Sequence, residues 1–278
     1  MDGGGNFNMR LCFLWWWGGA EEIYDYWRDG LRRAIELIGK DNDVDVILGE
    51  HFPEGKYDAY LLWGDSNCSA FGYFDNVEGK KGIILTTDPQ NFDNLKKLDV
   101  VFCESQPVKD QVRAQGIKAV KAFATDTDFY KPDLKKEKDM EYFYPATFSP
   151  WKLQRDIAHL GDKLWCIGTV QPDGLDDLKA CEDNNVNVAK GYFKAEYIRD
   201  CYQRAKNVPI PAIHGSERTV LEAMACNIVP DVTNVQNVRT RSYIEEYGNA
   251  SRYITPRDFV LGEYSPKKYA EKILYHLT

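Results

Sequence analysis

Ile213-His214-Gly215-Ser216-Glu217-Arg218-Thr219-Val220-Leu221-Glu222-Ala223-Met224-Ala225-Cys226-Asn227-Ile228-Val229-Pro230-Asp231 is the stretch from which the fold can be read. It reads as the end of a strand, a tight glycine turn, a short helix from about Ser216, and another short strand from Ile228. A turn that opens a helix leaves the first backbone N–H groups without helical partners, at the positive end of the helix dipole. Such a turn seats a phosphate or a diphosphate. Glu222 lies one to two turns further on, where a carboxylate can accept hydrogen bonds from a ribose diol. The pieces together suggest a nucleotide-diphosphate site. Val220, Leu221, Met224 and Ala225 also form an apolar stripe, so the helix has a core face in either case.

Working outward, short apolar runs alternate with helical patterns. Arg10–Trp16 reads as a strand followed by Gly18-Gly19, and Glu21–Ile38 carries Ile23, Trp27, Leu31, Ile35 and Ile38 at helical spacing. Strands are expected at Asp45–Leu48, Ala59–Trp63, Gly82–Thr86, Val100–Cys103 and Ala119–Ala122, with a helix over Gln106–Gln115 stopped by Gly116. The charged run Lys131–Asp139 has no apolar period and is read as an interdomain linker. A second set follows: strands at Glu141–Thr147, Leu164–Ile167, Asn187–Ala189 and Val208–Ile213, and helices near Trp151, over Ala195–Ala205, near Arg241–Tyr247 and over Pro266–Leu277. Alternation of this kind implies parallel sheets covered on both faces. The expected class is α/β, with two doubly wound, Rossmann-like domains at 1–133 and 139–263 facing each other across a cleft, and a last helix at 264–278 crossing back to the first domain.

Composition bounds the rest. The chain has 278 residues, enough for two domains of about 130. Its net charge of −8 argues against a nucleic-acid surface. Seven cysteines without a C-x-x-C pair, several inside apolar runs, read as buried free thiols in a reducing, cytoplasmic setting. The four histidines are scattered, so no metal site is expected. Leu11–Trp17 is too short to span a bilayer. Trp15, Trp16 and Trp17 suit a strand core or pocket lining, or a peripheral contact with a membrane interface.

The Leu221–Cys226 helix, L-E-A-M-A-C, resembles the donor-site signature of retaining GT-B glycosyltransferases of the group 1, family 4-like type. Asn227 stands where that family has Gly; Asn tolerates the left-handed conformation needed to end the helix. Asp99–Ser105, Gly116-Ile117 and Asp128 to Pro132 resemble the close of the family's first domain, and Gly191, Ile198, Tyr202 and Ala205 match a passage of the second. The resemblance implies transfer of a sugar from a nucleotide-diphosphate sugar to an acceptor hydroxyl, with retention, and with neither metal nor tightly held cofactor. The acceptor would be a glycan, a lipid or a small molecule. The donor would be held by Lys152, by the turn Gly215, Ser216, Glu217, Arg218 and Thr219, and by Glu222 on the ribose. Gly18 and Gly19 are either a plain strand-to-helix turn or a loop approaching phosphate or acceptor.

The sequence also departs from the family. The arginine expected five residues before Lys152 is Thr147; Arg155 or Lys163 are candidate substitutes. The first glutamate of the family's pair, counted back from Glu222, is His214. In the first domain, Asp88 follows a strand where Thr87 replaces the family's His, and Asp65 is a second strand-end carboxylate; either could orient an acceptor hydroxyl or accept its proton, and either could be a turn former. Two rival readings stay open: a sugar-nucleotide epimerase, and a non-catalytic protein that binds sugar nucleotides or glycans.

Overall fold

The computed structural model describes residues 8–16 and 30–278. Gly18, Gly19, Trp17 and the start of the helix expected from Glu21 lie outside the described residues. The chain divides into two units, residues 1–124 with 266–278, and residues 125–265.

In the first unit six parallel strands lie in the order β2-β1-β3-β4-β5-β6. They are β1 (Arg10–Trp15), β2 (Asp43–Leu48), β3 (Ala59–Gly64), β4 (Lys80–Leu85), β5 (Val100–Cys103) and β6 (Ala119–Lys121). Their side chains alternate between two buried faces, which is why the runs are continuously apolar rather than alternating. Leu11, Phe13 and Trp15 face α1 (Gly30–Ile38), while Cys12, Leu14 and Trp16 face the opposite core. That second core is closed by α2 (Ala70–Phe74), α3 (Phe92–Leu95) and α4 (Gln106–Arg113) through Phe71, Phe74, Leu95, Val108 and Val112. Trp15 is fully buried and stacks on Trp63 with centroids 4.7 Å apart, so it is a core residue.

The second unit has strands β7 (Met140–Pro145), β8 (Leu164–Gly168), β9 (Asn187–Lys190) and β10 (Ala205–Asn207), parallel in the order β10-β7-β8-β9. A two-stranded parallel pair, β11 (Pro209–Ile210) and β12 (Asp231–Val232), accompanies them. Its helices are α5 (Gln154–Ile157), α6 (Leu175–Asp183), α7 (Ala195–Arg204), α8 (Glu217–Ala225), α9 (Val238–Asn249) and α10 (Pro256–Glu263). The strand expected over Val208–Ile213 is interrupted, because β10 ends at Asn207 and the chain then pairs through Pro209 with a different partner, Asp231.

The last helix, α11 (Pro266–Leu277), belongs to the first unit. Tyr269, Ala270, Ile273 and Leu277 enter the α1 core, and Ile273 and Leu277, both buried, each contribute about 1.5–3 kcal/mol of apolar burial.

The sequence reading ended the first domain at residue 133, whereas residues from Thr125 onward lie with the second unit. The charged run is not a free linker. Lys136 pairs with Asp200, Lys138 Nζ donates to Ala205 O at 2.8 Å, and Gln203 Nε2 donates to Lys131 O at 2.8 Å. These charges lie against α7 and β10, so the absence of an apolar period there reflects polar packing.

Candidate nucleotide-diphosphate site

In a doubly wound sheet, ligands settle at the carboxyl ends of the strands where the strand order reverses. In the second unit the order reverses around β7, with β8 on one side and β10 on the other. The loops leaving these strand ends bring Lys152 against the turn at 213–216. Ile213 N donates to Trp151 O at 2.8 Å, which fixes the two loops to each other. Lys152 Nζ then donates to Ser216 Oγ at 3.0 Å and to His214 O at 3.4 Å.

Glycine suits position 215 by its backbone, and any side chain there would move the Lys152 ammonium. The φ of Gly215 is +72°, and a Cβ there would sit 2.7 Å from Lys152 Nζ. Ser216 follows at φ +78°, a left-handed residue with a side chain. The turn is held in that form by α9, whose Thr240 Oγ1 and Asn237 Nδ2 donate to Gly215 O at 2.6 and 3.1 Å. Asn237 also caps α9 by accepting from Thr240 N at 3.2 Å.

Helix α8 starts at Glu217, and Val220 N is the first amide bonded back to the turn, to Ser216 O at 3.1 Å. The amides of Glu217, Arg218 and Thr219 precede that bond, so the helix itself offers them no acceptor. At the other end Asn227 has φ +67°, and Ile228 N reaches Ala223 O at 2.9 Å, the closure that the Gly-to-Asn exchange had to preserve. Arg257 Nη1 donates to Ala225 O at 2.8 Å, placing a cation at the negative end of the helix.

The electrostatics are uneven. Burial lowers the Lys152 pKa from the ordinary lysine value, with the Glu217 charge opposing and the Arg239 charge adding to the shift. Glu217 pairs with Arg239, Oε1 to Nε 2.8 Å, with side chains 7% and 14% exposed. Glu222 is 6% exposed and lies in the interior in hydrogen-bond contact with Tyr130 and Tyr202. Burial first, and then the Glu222 charge, raise both phenols well above the usual tyrosine range, while Arg218 draws Tyr130 the other way. The Tyr202 hydroxyl also lies 3.5 Å from Thr219 O. His214 is exposed, and its ring lies parallel to that of Trp151, centroids 5.9 Å apart at 13°.

Of the substitutes weighed for the missing arginine, Arg155 is engaged elsewhere: its Nε is 3.5 Å from Asp177 and its own amide donates to the same carboxylate at 3.1 Å. Thr147, at the arginine position, has its hydroxyl 3.0 Å from that of Thr169. Sequence reasoning missed Arg239 and the Trp151 platform. Neither belongs to a motif; only the apolar-to-polar switch at Val238-Arg239-Thr240 hinted at a capped helix.

The first unit places Asp65 directly after β3, beside β1, where its own strand order reverses. Asp65 Oδ1 accepts from Asn67 N at 2.6 Å, the geometry of a turn-forming Asp. Asp88 is exposed after β4, one strand further along the sheet. Between these loops, buried Ser66 accepts from Gln90 N and Asn91 N at 3.0 and 3.1 Å. The two carboxylates are thus on adjacent laced loops of the first unit, and the candidates from Lys152 to Glu222 lie in the second.

No family model and no curated protein matches the sequence. Solved structures do match. AviGT4, a glycosyltransferase involved in avilamycin A biosynthesis, aligns over 97% of both chains with TM-score 0.61 and 11% identity. TarM of S. aureus aligns over 79% of this chain and 54% of its own, with TM-score 0.55 and 14% identity. A UDP-GlcNAc 2-epimerase from Neisseria meningitidis, bound to UDP-GlcNAc, aligns over 96% of this chain and 98% of its own, with TM-score 0.50 and 10% identity. The chain therefore spans about half the length of TarM. At such identities the likeness is one of fold, and the fold is GT-B glycosyltransferase-like, built from two Rossmann-like units. Among the described residues no helix is long and apolar enough to cross a membrane.

Proposed function

We propose that the protein transfers a sugar from a nucleotide-diphosphate sugar to an acceptor hydroxyl, with retention and without a metal ion. The observation that carries the reading is the Lys152 ammonium set against the left-handed Gly215-Ser216 turn at the start of α8. A diphosphate seated there would meet Lys152 and the first amides of α8. As the bond from the anomeric carbon to the diphosphate oxygen breaks, negative charge grows on the leaving group, and the same cation and dipoles stabilise it. A carboxylate offers about four acceptor positions, so Glu222 can keep two phenols and still accept from a ribose diol. His214, on its Trp151 platform, is placed to meet the sugar in place of the family's glutamate. Asp65, at the switch point of the first unit, is preferred over Asp88 for orienting the acceptor, a glycan, lipid or small molecule. The cytoplasm is the proposed setting, supported by seven cysteines that are all free.

The test is release of nucleoside diphosphate from a panel of UDP-, GDP-, ADP- and dTDP-sugars, repeated with Glu222→Ala. Slow release from one donor, lost in the variant, supports the reading and names the donor. A folded protein that binds none of them refutes it. An epimerase is the second reading, favoured by the full-length alignment with the 2-epimerase. It predicts a donor recovered with inverted C2 of the sugar and a diphosphate bond still intact once turnover ends.

A further inference from the structure

Beside Lys152 the proposed site lacks the cation that the resemblance implies. Thr147 occupies the arginine position and its hydroxyl is engaged by Thr169. Arg155 is 45% exposed and tied to Asp177. Lys152 would then face a diphosphate, which carries about two negative charges, with a single charge of its own. A second cation is nonetheless close, on a helix that the motif does not include. Arg239 is the second residue of α9, the helix whose Asn237 and Thr240 grip Gly215 O. Its backbone is therefore registered against the donor turn as firmly as that of Lys152. Its side chain is 14% exposed and its guanidinium is 2.8 Å from Glu217 Oε1.

Glu217 is the first residue of α8, so its carboxylate sits where the helix dipole favours an anion. Lys152 feels the charges of both Glu217 and Arg239, in opposite senses, which places all three groups within electrostatic reach of one another. The cluster holds two cations against one carboxylate. With the carboxylate turned away, two cations remain for two phosphate charges, and a guanidinium can take phosphate oxygens in a two-pronged contact that an ammonium cannot.

We propose that Arg239 is the second phosphate-binding cation of this site, and that Glu217 is a built-in stand-in for the ligand. In the free protein the Glu217 carboxylate holds the guanidinium in place; the diphosphate displaces it. The inference rests on the donor-site reading above and adds to it a competing anion within the chain itself. Its consequence is that affinity for the diphosphate is set below what the two cations alone would give, which speeds release of the nucleoside diphosphate after transfer.

The experiment measures binding of UDP, GDP, ADP and dTDP by calorimetry to the full chain, beside the matching nucleosides. Four variants are compared: Lys152→Met, Glu217→Gln, Glu217→Gln with Arg239→Met, and Glu217→Gln with Arg239→Lys. Using the Glu217→Gln background avoids stranding a buried carboxylate, and thermal unfolding of each variant alone confirms that it folds. Glu217→Gln is expected to bind the preferred nucleoside diphosphate about tenfold tighter than the parent, with no change for the nucleoside. Adding Arg239→Met is expected to abolish that gain and to fall below the parent; Arg239→Lys recovers part of it, as a point charge without the fork. Equal binding by Glu217→Gln and its Arg239→Met derivative, with binding still weakened by Lys152→Met, overturns this inference and leaves the donor site standing. Absence of any diphosphate binding to the parent overturns both.

Discussion

The carboxyl ends of the two parallel sheets are lined by different chemistry. In the first unit the reversal point beside β1 is surrounded by rings: Trp16 lies 4.7 Å from Phe52, and Phe52 stacks 4.5 Å from Tyr73. Phe52 is 46% exposed, and Trp16 Nε1 is tied down to Ser69 Oγ at 3.1 Å. In the second unit the reversal point is surrounded by charges, Lys152, Glu217 and Arg239, with half-buried Trp151 lying under exposed His214. A ring-lined edge favours ligands with apolar faces, and a charged one favours anions. On the proposed reading this contrast separates an acceptor side from a donor side, and it accompanies a difference in strand order, β2-β1-β3-β4-β5-β6 in the first unit and β10-β7-β8-β9 in the second.

The comparison can be broken most forcefully at Glu222. Replacing it with Leu removes the carboxylate from two buried phenols, only one of which has Thr219 O nearby. A loss of about 3 kcal/mol is expected in denaturant unfolding, against a loss of less than about 0.5 kcal/mol for Asp88→Ala in the first unit. An unfolding midpoint unmoved by Glu222→Leu would show that the carboxylate is not an interior anchor.

Next in size are the strand-end glycines. Gly64 closes β3 and Gly168 closes β8, each the strand beside the reversal point of its unit. A Cβ on Gly64 would meet Cys68 Sγ at an ordinary 3.6 Å, while one on Gly168 would fall well inside contact distance of the Ala146 carbonyl. Gly168→Ala is expected to cost about 2 kcal/mol, and Gly64→Ala to be neutral or slightly stabilising. Thermal unfolding of the two variants side by side decides it; equal shifts would mean the loops after β7 and β8 are not packed as closely as described.

Lys152 sharpens the comparison through pH. Its pKa is lowered, chiefly by burial, so its charged form is disfavoured in the folded protein. Between that lowered value and the ordinary lysine value the unfolded chain holds more protons, so the free protein gains stability as pH rises through this window. Anion binding runs the other way, because it needs the ammonium. Affinity for nucleoside diphosphate is expected to fall with rising pH, beginning below the ordinary lysine range, and binding there is expected to take up a proton. Lys152→Met is expected to weaken binding about tenfold or more while leaving the free protein at least as stable. Calorimetry in buffers of different ionisation enthalpy reads the proton; weaker binding accompanied by an equal loss of stability would mean the lysine is structural.

The smallest expected effect is at Asp65. Asp65→Asn keeps a side-chain oxygen for Asn67 N, so unfolding should shift by less than about 0.5 kcal/mol, while any role in orienting an acceptor is removed. Turnover measured with a found acceptor separates the two functions: unchanged turnover would return Asp65 to being a turn former.

These contrasts also explain what could be read from the sequence. Apolar runs such as Leu11–Trp15 and Val100–Cys103 announced buried parallel strands, because both faces of each are covered. The turn at 213–216 was legible because Gly215, the helix and Asn227 are contiguous, and each serves a local backbone need. Arg239 was not, since its approach to Glu217 depends on how α9 docks, and no local pattern encodes that. The short helix α6 was hidden for a related reason: its sequence LDDLKACED carries four acidic residues among nine, and Asp177 within it is buried where it receives the Arg155 amide. The charged run at 131–139 misled in the same way, Lys136 and Lys138 being satisfied by a carboxylate and by carbonyls distant in sequence. Charge recognised by tertiary partners looks, from the sequence alone, like charge facing water.

The placement of α11 has a consequence for how the protein is made. Tyr269, Ala270, Ile273 and Leu277 complete the core under β1, yet they are translated after every residue of the second unit. A ribosome emits chain at about 5–20 residues per second, and domains usually fold in the order they emerge. Here the first unit to appear is the last to be finished. Thr125 N meets Tyr264 O at 3.1 Å, so the chain that leaves the first unit and the chain that returns to it are clasped together once the second unit has formed. The nascent first sheet must wait, with part of its apolar face uncovered, for a helix delivered only after the second unit has been made, and truncation of that helix is where misfolding should begin.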